Sequence, residues 1–354
     1  MKKWMILHIT MMLGLIALLS SCELRPLSEG NGKAKVRVSL IVKTIANVTT
    51  GVYNEHVPVP NVLPDVIRVM FYDANTKEVA SQGFISNKGV DENGNDCLEG
   101  DIIVKPGIYN VVCYSFDTSS TLVRDENNAN TIVAYTSEIP ESYYSRFNAR
   151  AETPLPTIYY EPDHLIVAKQ DGVVVRANDK ETIIKAEAYT IVDTYYIQVR
   201  LVNGQYASDA VAVLTDLVPS TKFGLEDEQK SSEYSGIFFE MHRTADPTSR
   251  TNNQEVLCAV FNTFGKRSDD LEPSAESKLY VTFNVITVDG KKVELTVDME
   301  PIFRTPEAIE KHWLLIDKVF VIPEPDNPTP PPGGQNMFKP ETEEWERENG
   351  NIEL

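Results

Sequence analysis

The sequence predicts an all-β protein made of two antiparallel β-sandwich domains in tandem. Three observations carry that prediction. Apolar residues recur at every second position through most of the chain, the period of a half-buried strand. Turn-forming residues interrupt those runs at short intervals. The length of 354 residues, with 42% hydrophobic content, suits two cores of ordinary size.

In the first run, Val36, Val38, Leu40 and Val42 alternate with Lys35, Arg37, Ser39 and Ile41. Asp65 to Tyr72 reads as a mostly apolar strand, and Asp73-Ala74-Asn75-Thr76 turns it into Lys77 to Ser86. Asp101–Val104 and Ile108–Phe116 flank Lys105-Pro106-Gly107, a turn at hairpin spacing. Thr131–Thr136 adds a strand, and Thr153-Pro154-Leu155-Pro156 is a stiff connector. Strands resume at His164–Lys169 and Val173–Arg176. From Tyr189 to Leu201 the odd positions predict one long alternating strand. Asp209–Leu217, Gly236–Met241 and Glu255–Phe261 follow. Leu279, Val281, Phe283 and Val285 form one face, and Asp289-Gly290 turns the chain into Val293, Leu295 and Val297. Thr305–His312 predicts a helical turn or two, opened by Pro306. Trp313–Ile322 is a closing strand. Pro323 to Gly334 is an extended proline-rich linker, followed by an acidic tail with few apolar residues.

The N-terminus carries a different signal. Lys2-Lys3 precede a short uncharged run, Ile6–Leu19, too short to span a bilayer comfortably. Leu19-Ser20-Ser21-Cys22 then reads as a bacterial lipobox, with cleavage before Cys22 and acylation of that residue. The expected organisation is a lipoprotein signal over 1–21, a tether over 22–32, an N-terminal sandwich over 33–150 and a connector over 151–163. A C-terminal sandwich over 164–323 and a linker with acidic tail over 324–354 complete it.

The formal charge is −19, and loss of Lys2 and Lys3 takes it to −21. Such acidity argues against a nucleic-acid partner, whose phosphates need clustered Lys and Arg. It equally opposes electrostatic docking on anionic lipid. Apart from Cys22, the cysteines are Cys97, Cys113 and Cys258, an odd number that makes no complete disulfide framework. A Cys97–Cys113 bridge and buried free thiols are the two options.

No catalytic motif is present: HExxH, GxSxG, P-loop and GxGxxG are all missing. His56, His164, His242 and His312 are scattered, without a ligand-like histidine spacing, so no metal or cofactor is expected. Asp91, Asn93, Asn95, Glu99 and Asp101 resemble the start of a calcium loop. However, Asp96 stands where the turn glycine belongs and Ile102 where the bidentate glutamate belongs. A polar hairpin loop is the better reading. Tyr143, Tyr144, Tyr159 and Tyr160 are candidates for stacking on sugars, against an ordinary role as half-buried sheet residues.

The lipobox, the strand Ala34–Val42, Asp65–Asp73, Lys105-Pro106-Gly107-Ile108-Tyr109, the connector Tyr160–Ala168 and the closing Trp313–Pro323 resemble the fimbrillin-like lipoproteins of Bacteroidetes. The nearest branch is an uncharacterised one, DUF5119. The resemblance covers most of residues 22–323 and consists of strand and turn signatures. It implies two transthyretin-like, Greek-key sandwiches and assembly by strand complementation, a form of β-augmentation. It also implies proteolysis after an arginine near the first strand in polymerising subunits; Arg25 and Arg37 are the arginines available. The prolines Pro328–Pro332 depart from a donor strand, because they supply no ladder N–H groups. The expectation is therefore a non-enzymatic, lipid-anchored fimbrial accessory or anchor subunit. It would sit in the outer membrane, at the cell surface or on the periplasmic leaflet, with other fimbrillin-like subunits as partners. The alternative is a surface glycan-binding adhesin.

Overall fold

The computed structural model describes residues 33–42, 63–116, 118–144, 156–177, 179–226, 228–248, 254–267 and 279–325. The earlier strands are β1 (Ala34–Val42), β2 (Ile67–Asp73), β3 (Val79–Ile85), β4 (Asn87–Val90), β5 (Asp96–Val104), β6 (Gly107–Ser115), β7 (Thr121–Arg124), β8 (Val133–Thr136), β9 (Thr157–Tyr160), β10 (Ile166–Val175) and β11 (Thr182–Thr190). The later ones are β12 (Asp193–Val202), β13 (Ala207–Thr215), β14 (Ser220–Lys222), β15 (Gln229–Lys230), β16 (Ser235–Glu240), β17 (His242–Ala245), β18 (Glu255–Thr263), β19 (Tyr280–Thr287), β20 (Lys292–Asp298) and β21 (Trp313–Val321). The protein is all-β, as the alternation predicts.

The first sheet runs β3-β2-β6-β10-β11-β1-β5-β4. Its bend lies between β10 and β11, which pair only at Ile166–Thr190 and Val167–Tyr189. The two arms therefore face each other across one core. Val36, Val38 and Leu40 of β1 meet Ile67, Val69 and Phe71 of β2 there, with Ile102, Val111 and Ile166. β1 is central: it runs parallel to β11 and antiparallel to β5.

The second sandwich packs β17-β18-β12-β21 against β20-β19-β13-β16-β9. Phe239 of β16 stacks on Phe261 of β18 with ring centroids 4.4 Å apart, and Phe283 of β19 meets Phe320 of β21. A small sheet, β15-β14-β8-β7, joins the two halves by pairing Val133–Tyr135 with Ser220–Lys222.

Local turn chemistry agrees with the sequence reading in most places. Asp73 accepts from the N–H groups of Asn75 and Thr76 and closes β2 onto β3. Gly290, at φ 77°, turns β19 into β20. Thr305 caps the helix Pro306–Lys311 by accepting from Ala308 N–H. The Asp91 loop is the β4–β5 hairpin, with the Asp91 carboxylate taking the N–H groups of Asn93 and Asn95 at 2.8 Å.

Three expectations need correction. Residues Ile166–Val175 and Thr182–Thr190, assigned to the later sandwich by sequence, belong to the first sheet: β10 pairs with β6 and β11 with β1. The long strand expected from Tyr189 to Leu201 is two strands in different sheets. It breaks at Ile191–Val192, where the Thr190 hydroxyl accepts from Val192 N–H. Lys105-Pro106-Gly107 closes no hairpin, because β5 and β6 lie in opposite arms. The Tyr109 side chain packs over Gly107: a Cβ there would sit 2.8 Å from its hydroxyl, which donates to Lys105 O. In each case strand period and turn residues are local properties, whereas the choice of partner strand is not. Of the two options for the cysteines, the structure takes free thiols: Cys97, Cys113 and Cys258 are buried and unbridged.

Candidate functional site

Cys22, the lipobox residues Leu19, Ser20 and Ser21, and Arg25 lie outside the described residues. Arg37 lies within β1, facing Ile183 of β11 on one side and Asp101 of β5 on the other. Its Nε is 3.0 Å from Asp101 Oδ1, and Lys35 Nζ reaches Asp101 and Glu181 at 2.9 and 3.0 Å. Hydrogen bonds from Arg37 and then Lys35 hold the Asp101 carboxyl below its ordinary range. These ion pairs are exposed and contribute little to stability. The Arg37 backbone is paired on both sides. A protease takes its substrate as an unpaired extended segment, and this segment is already fully paired.

Alternation on β9 separates the tyrosine candidates. Tyr159 turns toward the core of the second sandwich and donates to Glu233 Oε1 at 2.7 Å. Burial and then Glu233 push its hydroxyl pKa up. Tyr160 points to the opposite face, among Ile139, Ile158, Val211, Val213 and Phe238. Tyr143 joins that face, edge-on to Phe238 with centroids 5.6 Å apart. Tyr144 ends the helical turn Glu141–Tyr144, and its side chain lies outside the described residues. Tyr143 and Tyr160 thus share a half-buried face that Tyr159 does not.

A polar cluster that sequence reasoning passed over lies where the chain leaves β9 for β10. Asp163 Oδ2 accepts from the N–H groups of Ser119 and Ser120, both at 2.6 Å, and its carbonyl accepts from Thr121. Burial raises the Asp163 carboxyl, but these donors outweigh burial and leave it below its usual range. Glu161 Oε2 accepts from Asn262 N–H of β18 at 3.0 Å. Thr194 of β12 donates to Asn262 Oδ1 and lies 3.2 Å from His164 Nε2. The only trace of this in the sequence is the density of charge in Glu161-Pro162-Asp163-His164 between two apolar strands. Among the described residues no three His, Cys, Asp or Glu side chains converge as a metal site.

Comparison with known proteins places the chain in a family. A model of a domain of unknown function, DUF5119, matches residues 38–240. The chain belongs to the DUF5119 family. This DUF5119 protein is 23% identical over 291 residues to a Bacteroides ovatus protein named as a candidate fimbrium anchoring subunit, Fim4B; the match covers 78% of this chain and 80% of that one. Among solved structures, a candidate adhesin from Bacteroides ovatus aligns with a TM-score of 0.49 at 20% identity, covering 82% of this chain and 94% of its own. The fimbrial anchor protein Mfa2 of Porphyromonas gingivalis aligns with a TM-score of 0.43 at 10% identity, covering 84% and 94%.

Proposed function

We propose that this DUF5119 protein is a non-enzymatic fimbrial accessory or anchor subunit of the cell envelope. It is tethered to the outer membrane by lipid on Cys22 and engages partner subunits through strand complementation. The observation that carries the reading is β1. This strand lies between two neighbours and buries Val36, Val38 and Leu40 almost completely. Full burial of such side chains stabilises by about 2 kcal/mol each. Withdrawal of β1 is therefore unfavourable unless another strand replaces it. A subunit that keeps β1 also keeps whatever is attached ahead of it. From Cys22 to Ala34 an extended chain reaches roughly 40 Å at most, which holds the sandwich close to the lipid surface. The likeness to the Bacteroides ovatus protein named as an anchoring subunit supports the same reading.

The test is mass spectrometry of the native protein isolated from its own membranes. An acylated Cys22 in a complex with fimbrillin-like subunits is the expected result. A free N-terminus just after Arg25 or Arg37, in a high-mass polymer, would instead make it a polymerising pilin. An acylated protein with no fimbrial partner would overturn the fimbrial role.

A further inference from the structure

β1 enters the first sandwich at one end, and the chain segments that lead out of this sandwich leave at the other. Ala34 lies beside Val104, and Val36 beside Thr182, where β5 ends and β11 begins. Val42 lies beside Ala188, near the opposite end. There Ile166 pairs with Thr190, Val167 pairs with Tyr114, and Ile166 N–H donates to the Ser115 hydroxyl at 2.9 Å. The chain passes between the halves at these same residues: after Ser115 toward β7, into Ile166 from β9, and after Thr190 into β12. β12 then runs away from the first sandwich. At its far end Val202 O accepts from Ile322 N–H, just past β21, and Tyr206 O accepts from Val288 N–H in the β19–β20 turn.

A pull between the N-terminal tether and this far end draws β1 toward its own N-terminus while its neighbours are held from the opposite side. β11 is the decisive neighbour, because it is parallel to β1 and continues from Thr190 into β12. Parallel strands pulled from opposite ends slide past one another. In sliding, the ladder bonds from Val36 to Val42 on one side and Ala34 to Ile41 on the other share the load at once. In peeling, the load falls on the terminal bond and the ladder opens one bond at a time. The inward face adds to the resistance. A shift of one residue would turn Val36, Val38 and Leu40 out of the core, so the shortest slip is two residues, about 7 Å. That slip also separates Lys35 from Asp101 and Glu181, and Arg37 from Asp101.

We propose that β1 is a shear clamp, which bears tension between the lipid tether and the partner subunits. The role depends on Cys22 carrying the lipid, the reading given above. Forced rupture is governed by the barrier to unfolding rather than by equilibrium stability, so the direction of pull decides the strength of the strand.

Single-molecule pulling on the full mature chain tests this, unacylated so that Cys22 supplies one handle. The second handle is placed either at Val288→Cys, exposed at the far end, or at Lys105→Cys, exposed beside the Ala34 end. Cys97, Cys113 and Cys258 are buried and stay free of handles. Cys22 against Val288→Cys loads β1 in shear. Cys22 against Lys105→Cys draws apart two strand ends that lie together, and peels β1 from β5. At one pulling rate the rupture force should be several times higher in shear than in peel. Equal forces would overturn the clamp. So would a first shear event too short to free β1, which is nine residues long, because the halves would then part before the strand moves. Neither arm changes a residue of β1. Native protein without lipid on Cys22 would overturn the load-bearing role while the two forces still differ, which tells failure of the anchoring reading from failure of the geometry.

Discussion

A methyl group added at Gly224 would land 1.9 Å from the carbonyl oxygen of Ala129. That carbonyl already accepts from Leu225 N–H at 3.0 Å, so the backbone has no room to yield without losing a bond across the two halves. Gly224→Ala should therefore destabilise the protein by about 3 kcal/mol, read as a lowered midpoint in urea. The three described thiols make a second residue-scale prediction. Burial pushes Cys113 up to about 12. It does the same for Cys258, where a Tyr196 hydrogen bond opposes and Asp246 adds. Cys97 is also buried and raised. Thiol reagent should find none of these three in the folded protein and all three in denaturant; rapid labelling of the native state would contradict the packing. The glycine's role was not legible in the sequence, whereas buried free thiols were one of its two options for the cysteines. Gly224 has an ordinary turn setting in Phe223-Gly224-Leu225, and its contact lies nearly a hundred residues away.

At the scale of elements, β1 shows how far local pattern reaches. Its inward face, Val36, Val38 and Leu40, is read directly from the alternation, and the structure buries those three residues. Its neighbours were not legible: one is β5, the other is β11, parallel and far along the chain. Parallel pairing requires a long crossover and leaves no turn signature between the partners. The central position leads to a protease prediction. An arginine-specific protease should leave the bond after Arg37 intact while the protein is folded, and Leu40→Ala should expose it. Leu40→Ala removes a fully buried side chain and lowers stability by about 3 kcal/mol. Prompt cleavage of the unsubstituted chain at Arg37 would show that β1 frays. The candidate tyrosines make the same point about elements. Tyr159 and Tyr160 are adjacent in sequence, and for that reason a strand places them on opposite faces.

At the scale of the whole molecule, the halves are interleaved. β8 and β9 leave the first half to pair with β14 and β16, while β10 and β11 return to it. A separate apolar cluster spans the junction. Met70, Tyr72, Val112 and Tyr114 come from the first sheet, and Val218, Phe223 and Phe264 from later segments. Phe223 lies edge-on to Tyr114, with centroids 5.6 Å apart. Strands exchanged across a shared core should unfold together, so calorimetry should record one transition. Phe223→Ala opens a cavity in that shared core at a cost of about 4 kcal/mol and should separate the transition into two. Two transitions in the unsubstituted protein would mean that the junction contributes little.

The sequence by itself determined the class and positions of most strands, the Asp73 and Asp289-Gly290 turns, the Thr305 cap and the inward face of β1. Each of these depends on residues within a few positions of one another: side-chain period, backbone freedom of glycine, the fixed φ of proline. Only the tertiary structure decided which strands share a sheet, that β10 and β11 fold back on the first core, and that Glu161 and Asp163 grip different halves. Those choices rest on backbone edges, which offer the same N–H and C=O groups whatever the residue. They are settled by how the apolar faces close over one another, and by the few polar side chains caught where they meet.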